Sequence, residues 1–187
     1  MKALVTDKNK NTKIKEVNDF KGNNIVKTIK IGVDGTDKEV RENPNNRIPD
    51  SDDYIIMGHE AIGRVIKSDK FDKGDLVAPT VRRPTAGCKH CLNNRPDLCP
   101  PDHYVERGIN GAHGFGSERF VERETEYLVK VPDILEDIGV LIEPLSIAEK
   151  GFNRAKNDLE DKNKDVSNAL VLGAGSLGLL SSILLNS

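Results

Sequence analysis

The sequence has no run of apolar residues long enough to cross a bilayer. Its longest apolar stretch, residues 177–185, is broken by Gly178, Ser181 and Ser182, where a spanning helix needs about 20 predominantly apolar residues. The opening MKALVTDKNK carries lysines but not the apolar centre of a secretory signal. Both absences point to a cytoplasmic protein. An excess of one charge is missing too: 28 Lys and Arg face 30 Asp and Glu, a formal net charge of -2, with both signs mixed along the chain. Without a basic stripe, nucleic-acid binding is set aside, and internal repeats and low-complexity segments are also lacking. Cysteine is scarce. The three, all between Cys88 and Cys99, cannot all pair within the chain, and in a cytosolic protein such a cluster favours metal over disulfide.

What is present is globular in character. Hydrophobic residues make up 36% and charged residues 31% of 187, enough for one full domain and the start of another. The first part reads as short strands separated by turns. Residues 1–6 are partly apolar, 13–17 and 24–31 alternate, 54–66 hold two apolar runs around Gly58, and 75–81 form another strand candidate. Residues 118–131 alternate well enough for a hairpin-like pair, and Pro44 and Pro49 mark breaks. From residue 137 to 159 the apolar spacing becomes helical, through Val140, Leu141, Leu145, Ile147, Ala148 and Phe152. Residues 157–165 are almost wholly charged or amide and read as a solvated connector. The domain division expected is therefore 1–165 and 166–187.

Beyond the connector, an apolar segment expected as a buried strand, residues 169–172, runs into Gly173-Ala174-Gly175-Ser176-Leu177-Gly178 and then a helix. In G-x-G-x-x-G the first glycine permits the tight turn and the second admits a pyrophosphate to the backbone. The third allows close helix–strand packing, and the helix N-terminus faces the anion. An ordinary glycine-rich turn is the alternative; the strand–turn–helix context favours the nucleotide reading. The acidic residue that grips a ribose lies about 20 residues beyond such a motif, whereas Ser187 is nine residues past Gly178. Leu179, Leu180, Ile183, Leu184 and Leu185 lack most of the neighbours a parallel sheet supplies. The expectation is a fragment that binds nucleotide poorly.

Four residues stand out as metal candidates: Asp34, His59, Glu60 and Glu143. His59 and Glu60 are adjacent and would point oppositely in a regular strand, unless the turn at Gly58 brings both to one site or leaves Glu60 behind the ligands. One imidazole with carboxylates suits zinc; a histidine hydrogen-bonded to an acid is the structural alternative.

These phrases, in this order, resemble the zinc-dependent medium-chain dehydrogenase/reductase family. Gly32-Val33-Asp34-Gly35-Thr36-Asp37 corresponds to the family's G-V-C-G-T-D, Gly58-His59-Glu60 to its G-H-E, and residues 173–178 to its nucleotide turn. The similarity is greatest to archaeal glucose dehydrogenases, through Val81-Arg82-Arg83-Pro84, Arg95-Pro96-Asp97-Leu98-Cys99, residues 104–109 and residues 141–150. Aspartate replaces the usual cysteine ligand at position 34, a hard oxygen that zinc accepts. The alternative is a member that has lost its metal.

The resemblance implies a mixed α/β protein: a GroES-like, β-barrel-type catalytic domain followed by the first βα unit of a Rossmann domain. It implies zinc held by Asp34, His59 and Glu143, with Glu60 an exchangeable ligand or a close supporting group. Thr36 becomes the hydroxyl that relays a proton, and Asp37 the carboxylate that orients His59, or else only a helix cap. Glu106 takes the place of a residue that hydrogen-bonds sugar hydroxyls. Gly173, Gly175, Ser176, Leu177 and Gly178 meet NADP or NAD. His113 either lines the cleft or is a loop histidine without a role. Cys88, Cys91 and Cys99 match three ligands of the family's structural zinc lobe, and Thr85 stands where the fourth belongs. Either Asp102 or His103 completes a second zinc site there, or the thiols are reduced and packed; His90 is poorly placed to join. The implied reaction is oxidation of an aldose, glucose first among them, to its lactone, with hydride transfer to NAD(P). Related polyol, threonine or alcohol dehydrogenases, a zinc-free binding module, and a fragment with no activity of its own are the alternatives. A small sugar or polyol is the expected partner, with homo-oligomerisation of the full-length protein.

Overall fold

The computed structural model describes residues 1–85, 87–93, 95–162 and 167–186. It divides into two compact units, residues 1–140 and 141–187; the expected boundary at 165/166 lies outside the described residues.

The first unit is built on three sheets. Strand β1 (Lys2–Asp7) is flanked by β2 (Thr12–Glu16) and β4 (Tyr54–Ile56), both antiparallel to it. Ala3, Val5, Val17 and Ile56 pack together as its core. Strand β3 (Asn24–Ile31) lies inside a five-stranded sheet with β5 (Ala61–Lys67), β6 (Leu76–Pro79), β10 (Arg119–Glu122) and β11 (Leu128–Lys130), in the order β10-β3-β5-β6-β11. Its alternating sequence turns Val26 into a core shared with Ala61, Val65, Val77, Phe115, Phe120 and Leu128. The third sheet joins β7 (Arg82–Pro84), β8 (Tyr104–Arg107) and the short β9 (Gly111–Ala112). Two helices punctuate the strands, α1 (Gly35–Glu42) and the single turn α2 (Lys89–Leu92).

Three expectations are corrected. Residues 118–131 do not form a hairpin: β10 pairs with β3 and β11 with β6, at opposite edges of one sheet. Phe120 and Leu128 bury themselves against strands distant in sequence, so proximity along the chain does not decide the pairing. No closed barrel forms among the described residues. The strands remain in three open sheets, and β1 touches the segment before β10 through a single bridge, Ala3 to Ser117.

In the second unit, α3 (Ile142–Glu160) begins five residues later than the helical spacing of residues 137–159 and ends one residue beyond it, and it packs against α4 (Ser176–Leu185). The third correction falls here. Residues 169–172 pair with no strand among the described residues, and Leu170 and Leu172 are 82% and 86% exposed. A strand needs a ladder partner to exist as one, and the apolar composition alone does not supply it. No described helix is long and apolar enough to cross a membrane.

Candidate metal centre

Strand β3 ends at Ile31, and the chain turns through Gly32 into the start of α1. Asp34 is the N-cap. Its Oδ1 accepts hydrogen bonds from the backbone N–H of Thr36 at 2.8 Å and of Asp37 at 3.2 Å. The Asp37 carboxylate returns the bond to the Asp34 N–H at 3.1 Å, a reciprocal capping box. The glycine- and acid-rich phrase is thus a helix start that fixes two carboxylates in one place. Asp37 Oδ1 also accepts from the Gly58 N–H at 3.2 Å, tying α1 to the turn between β4 and β5. Gly58 has φ +86°, and a Cβ there would stand 2.9 Å from Ile31 Cγ2, so the turn requires glycine. Through this turn, adjacent His59 and Glu60 are both buried, at 4% and 8% exposure, with the Glu60 carboxylate lying against Gly32.

His59 stands between the two carboxylates of the helix start. Its Nε2 is 3.7 Å from Asp34 Oδ1 and its Nδ1 is 3.9 Å from Asp37 Oδ2. Both distances exceed a hydrogen bond, and Nδ1 is buried without a hydrogen-bond partner among the described residues. Yet 3.7 Å is less than twice a zinc–ligand bond of about 2.0–2.1 Å, so one ion reaches both atoms. Ligating atoms of Asp34, Asp37 and His59 all lie within 4.8 Å of one another. Gathering buried acids costs free energy that a cation offsets. The donor set therefore fits zinc: Nε2 and Asp34 as ligands, with Asp37 beside the other ring nitrogen.

Burial pushes the Asp37 carboxyl above its ordinary pKa, against the lowering effects of the Asp34 N–H and of His59. Burial likewise raises Glu60; His59 opposes the rise, and the negative charges of Asp34 and Asp37 add to it. A carboxyl with a raised folded pKa stabilises the fold fully below its unfolded value, and that contribution is lost as pH rises through the folded one. In metal-free protein, Glu60→Gln is therefore expected to raise stability at neutral pH. The gain disappears below the ordinary glutamate value of 4.5. Urea unfolding in chelator at the two pH values measures it, and an equal gain at both would contradict it.

Residues 21–133 match the family model of the alcohol dehydrogenase GroES-like domain. The chain belongs to that family. Within it, residues 136–187 also match the model described as glucose dehydrogenase C-terminus. The chain is 43% identical over 168 residues to the glucose 1-dehydrogenase of Haloferax mediterranei, covering 88% of this chain and 47% of that protein. It is 43% identical over 169 residues to that of Methanocella arvoryzae, with the same coverage. The crystal structure of the Haloferax mediterranei glucose dehydrogenase in complex with NADP, zinc and gluconolactone superposes with a TM-score of 0.89 at 39% identity. That match covers 99% of this chain and 54% of that one. The GroES-like chain thus spans about half the length of the curated relatives it matches.

Of the other anticipated residues, Thr36 donates its hydroxyl to Asp34 Oδ2 at 3.2 Å. Glu143 stands in the first turn of α3, in the second unit. Gly175 caps α4, which begins at Ser176 and continues through Leu177 and Gly178, and Gly173 turns the chain with φ +111°. Cys88, Cys91 and Cys99 are brought together, with Sγ separations of 3.6, 3.3 and 2.8 Å. Among the described residues the potential ligand group here is those three; His90, Asp102 and His103 are not part of it. Hydrogen bonds, chiefly from the Cys91 backbone N–H, lower the Cys88 thiol to about 6, while sharing its neighbours' sulfurs and burial lift Cys99 to about 12. His113 is a structural residue: its Nδ1 accepts from the Ile56 N–H at 3.2 Å and its ring stacks on Tyr54.

Glu106, in β8, accepts two bonds from Arg82 on Oε1, at 3.2 and 2.9 Å. Sequence reasoning passed over Arg82, and also a buried triad in which Arg83 and Arg107 both bind Glu122. Alternating charge on two short strands was the available signal, but it resembles any solvated surface until the strands are paired.

Proposed function

We propose that this protein is the zinc-dependent catalytic part of an aldose dehydrogenase that oxidises D-glucose to gluconolactone with hydride transfer to NAD(P). The observation that carries the reading is His59 Nε2 facing the half-buried Asp34 Oδ1 at 3.7 Å, beside the buried carboxylates of Asp37 and Glu60. Asp34, His59 and Glu143 hold the zinc, with Glu60 as an exchangeable ligand. When bound there, zinc would act as a Lewis acid that makes a substrate hydroxyl easier to deprotonate. The chain's own residues do the remainder. Thr36, whose hydroxyl bonds Asp34 Oδ2, would take the substrate proton at its Oγ1 while giving up its own hydroxyl proton to solvent, to which this half-buried side chain is open. Asp37 orients the His59 ring through Nδ1. Glu106 receives sugar hydroxyls on Oε2, which accepts no hydrogen bond among the described residues.

In this reading residues 1–165 form the catalytic domain with its connecting helix, and residues 166–187 open a Rossmann domain. Gly173, Gly175, Ser176, Leu177 and Gly178 present backbone N–H groups and a helix N-terminus to the NADP or NAD pyrophosphate. Cys88, Cys91 and Cys99 take a second, structural zinc. The full-length protein works in the cytoplasm as a homo-oligomer. Metal analysis of this chain, together with glucose-dependent reduction of NADP+ by the full-length protein, tests the proposal. The expected result is a zinc content that falls by one ion per chain when His59 is replaced, and turnover of glucose ahead of simple alcohols. A folded protein without zinc, or one that turns over alcohols but no aldose, would refute it.

A further inference from the structure

Arg82 is the one side chain whose described hydrogen bonds join Glu106 to the thiol lobe. Strand β7 pairs with β8 so that Arg82 lies opposite Glu106. Its Nε and Nη2 both donate to Glu106 Oε1. Its Nη1 donates to the carbonyls of Pro96 at 3.3 Å and Asp97 at 3.1 Å, in the turn that ends at Cys99. The guanidinium also lies over the Tyr104 ring, 3.8 Å from its centroid. Every nitrogen of the planar fork is engaged, so the head group has little freedom. Gly108, two residues after Glu106, packs backbone to backbone on Gly58, where an added Cβ would stand 2.8 Å from the Gly58 carbonyl carbon. The end of β8 is therefore anchored beside the turn that carries His59.

We infer that Arg82 is a positioning residue that anchors Glu106 to the lobe and holds its second carboxylate oxygen toward the sugar. The inference rests on the reading that Glu106 meets the substrate. Arg82 itself touches no reacting atom. Holding Oε1 in a two-point grip orients Oε2, and the grip is referenced to the turn carrying Cys99, so the state of the lobe is transmitted to the sugar site.

Titration of glucose into the zinc-loaded protein without nucleotide, so that no turnover occurs, provides the test. Arg82→Ala is expected to weaken glucose binding about tenfold, the effect of misplacing one hydrogen bond to a charged group. Arg82→Lys, which keeps the charge but not the fork, is expected to weaken it as much, and carries the comparison if the alanine variant does not fold. In a Glu106→Gln background the same substitutions change glucose affinity less than about twofold, because coupled residues are not additive. A general loss of stability would act equally in both backgrounds, and that result overturns the inference. So does unaltered affinity in both Arg82 variants while Glu106→Gln weakens binding. If Glu106→Gln has no effect, or the native protein binds no glucose, the reading beneath the inference fails instead. Ellman's reagent probes the anchor separately: Cys99, 7% exposed, is expected to react faster in the Arg82 variants and unchanged in Glu106→Gln. Unchanged labelling in the Arg82 variants overturns the link to the lobe.

Discussion

His59→Ala is expected to empty the zinc centre while leaving the strands around it folded. Structural zinc sites are worth about 10–16 kcal/mol with four ligands, so one ligand carries on the order of 3 kcal/mol, a hundredfold or more in affinity. The imidazole is the only nitrogen donor in the group with Asp34 and Asp37, and its removal leaves carboxylates alone, a set suited to harder ions. Zinc content after dialysis against a weak chelator and glucose turnover measure the loss, with circular dichroism reporting the fold. His113→Ala is the matched control. That ring is also partly buried, but its Nδ1 already accepts from the Ile56 N–H, so zinc content is expected to stay unchanged. An undiminished zinc content in His59→Ala, or a reduced one in His113→Ala, would place the catalytic metal elsewhere.

The largest effect on stability is expected from Glu122→Ala. Glu122 is 3% exposed and receives Arg83 Nη2 at 2.6 Å and Arg107 Nη1 at 3.0 Å on one carboxylate oxygen. Arg107 also donates to the carbonyls of His113 and Val121, and burial lowers its pKa to about 10 despite the favourable charge of Glu122. Removing one partner of a buried ion pair costs about 3–5 kcal/mol, because the other charge is left uncompensated. Here two guanidinium groups are left. At about 2–4 °C per kcal/mol for a chain of this size, the melting temperature is expected to fall by roughly 10 °C. Glu122→Gln, which preserves an acceptor, is expected to lose less. Thermal unfolding of both variants checks the order. If Glu122→Ala melts within a degree or two of the native protein, the triad is not a source of stability.

Local information in the sequence reached far at some positions and not at others. The alternation of residues 24–31 coincides with β3, because a half-buried strand must repeat every second residue. The helical spacing after residue 137 coincides with most of α3 for the equivalent reason at 3.6 residues per turn. Asp34, Asp37, His59 and Glu60 were visible as short phrases, since chemistry that needs those side chains in a fixed turn also needs glycine around them. What the phrases could not reveal is that Asp34 and Asp37 are first the cap of a helix and only through that a pair of carboxylates facing one imidazole. Helix α1 itself has too few apolar residues to declare a periodicity.

Pairing was decided by tertiary structure alone. Residues 118–131 look like neighbours in the sequence, yet they separate to opposite edges of a five-stranded sheet, because Phe120 and Leu128 find their buried area on β3 and β6. The same pairing lays Arg82 opposite Glu106, and the fold brings Arg83 and Arg107 onto Glu122; spacing and residue type alone do not reveal either contact. Residue types and short spacings determined which donor side chains this chain carries in short glycine-marked phrases. Burial and strand register, which depend on contacts between residues far apart, decided which charges become a site, which become a strut, and where the sheets stop short of closing.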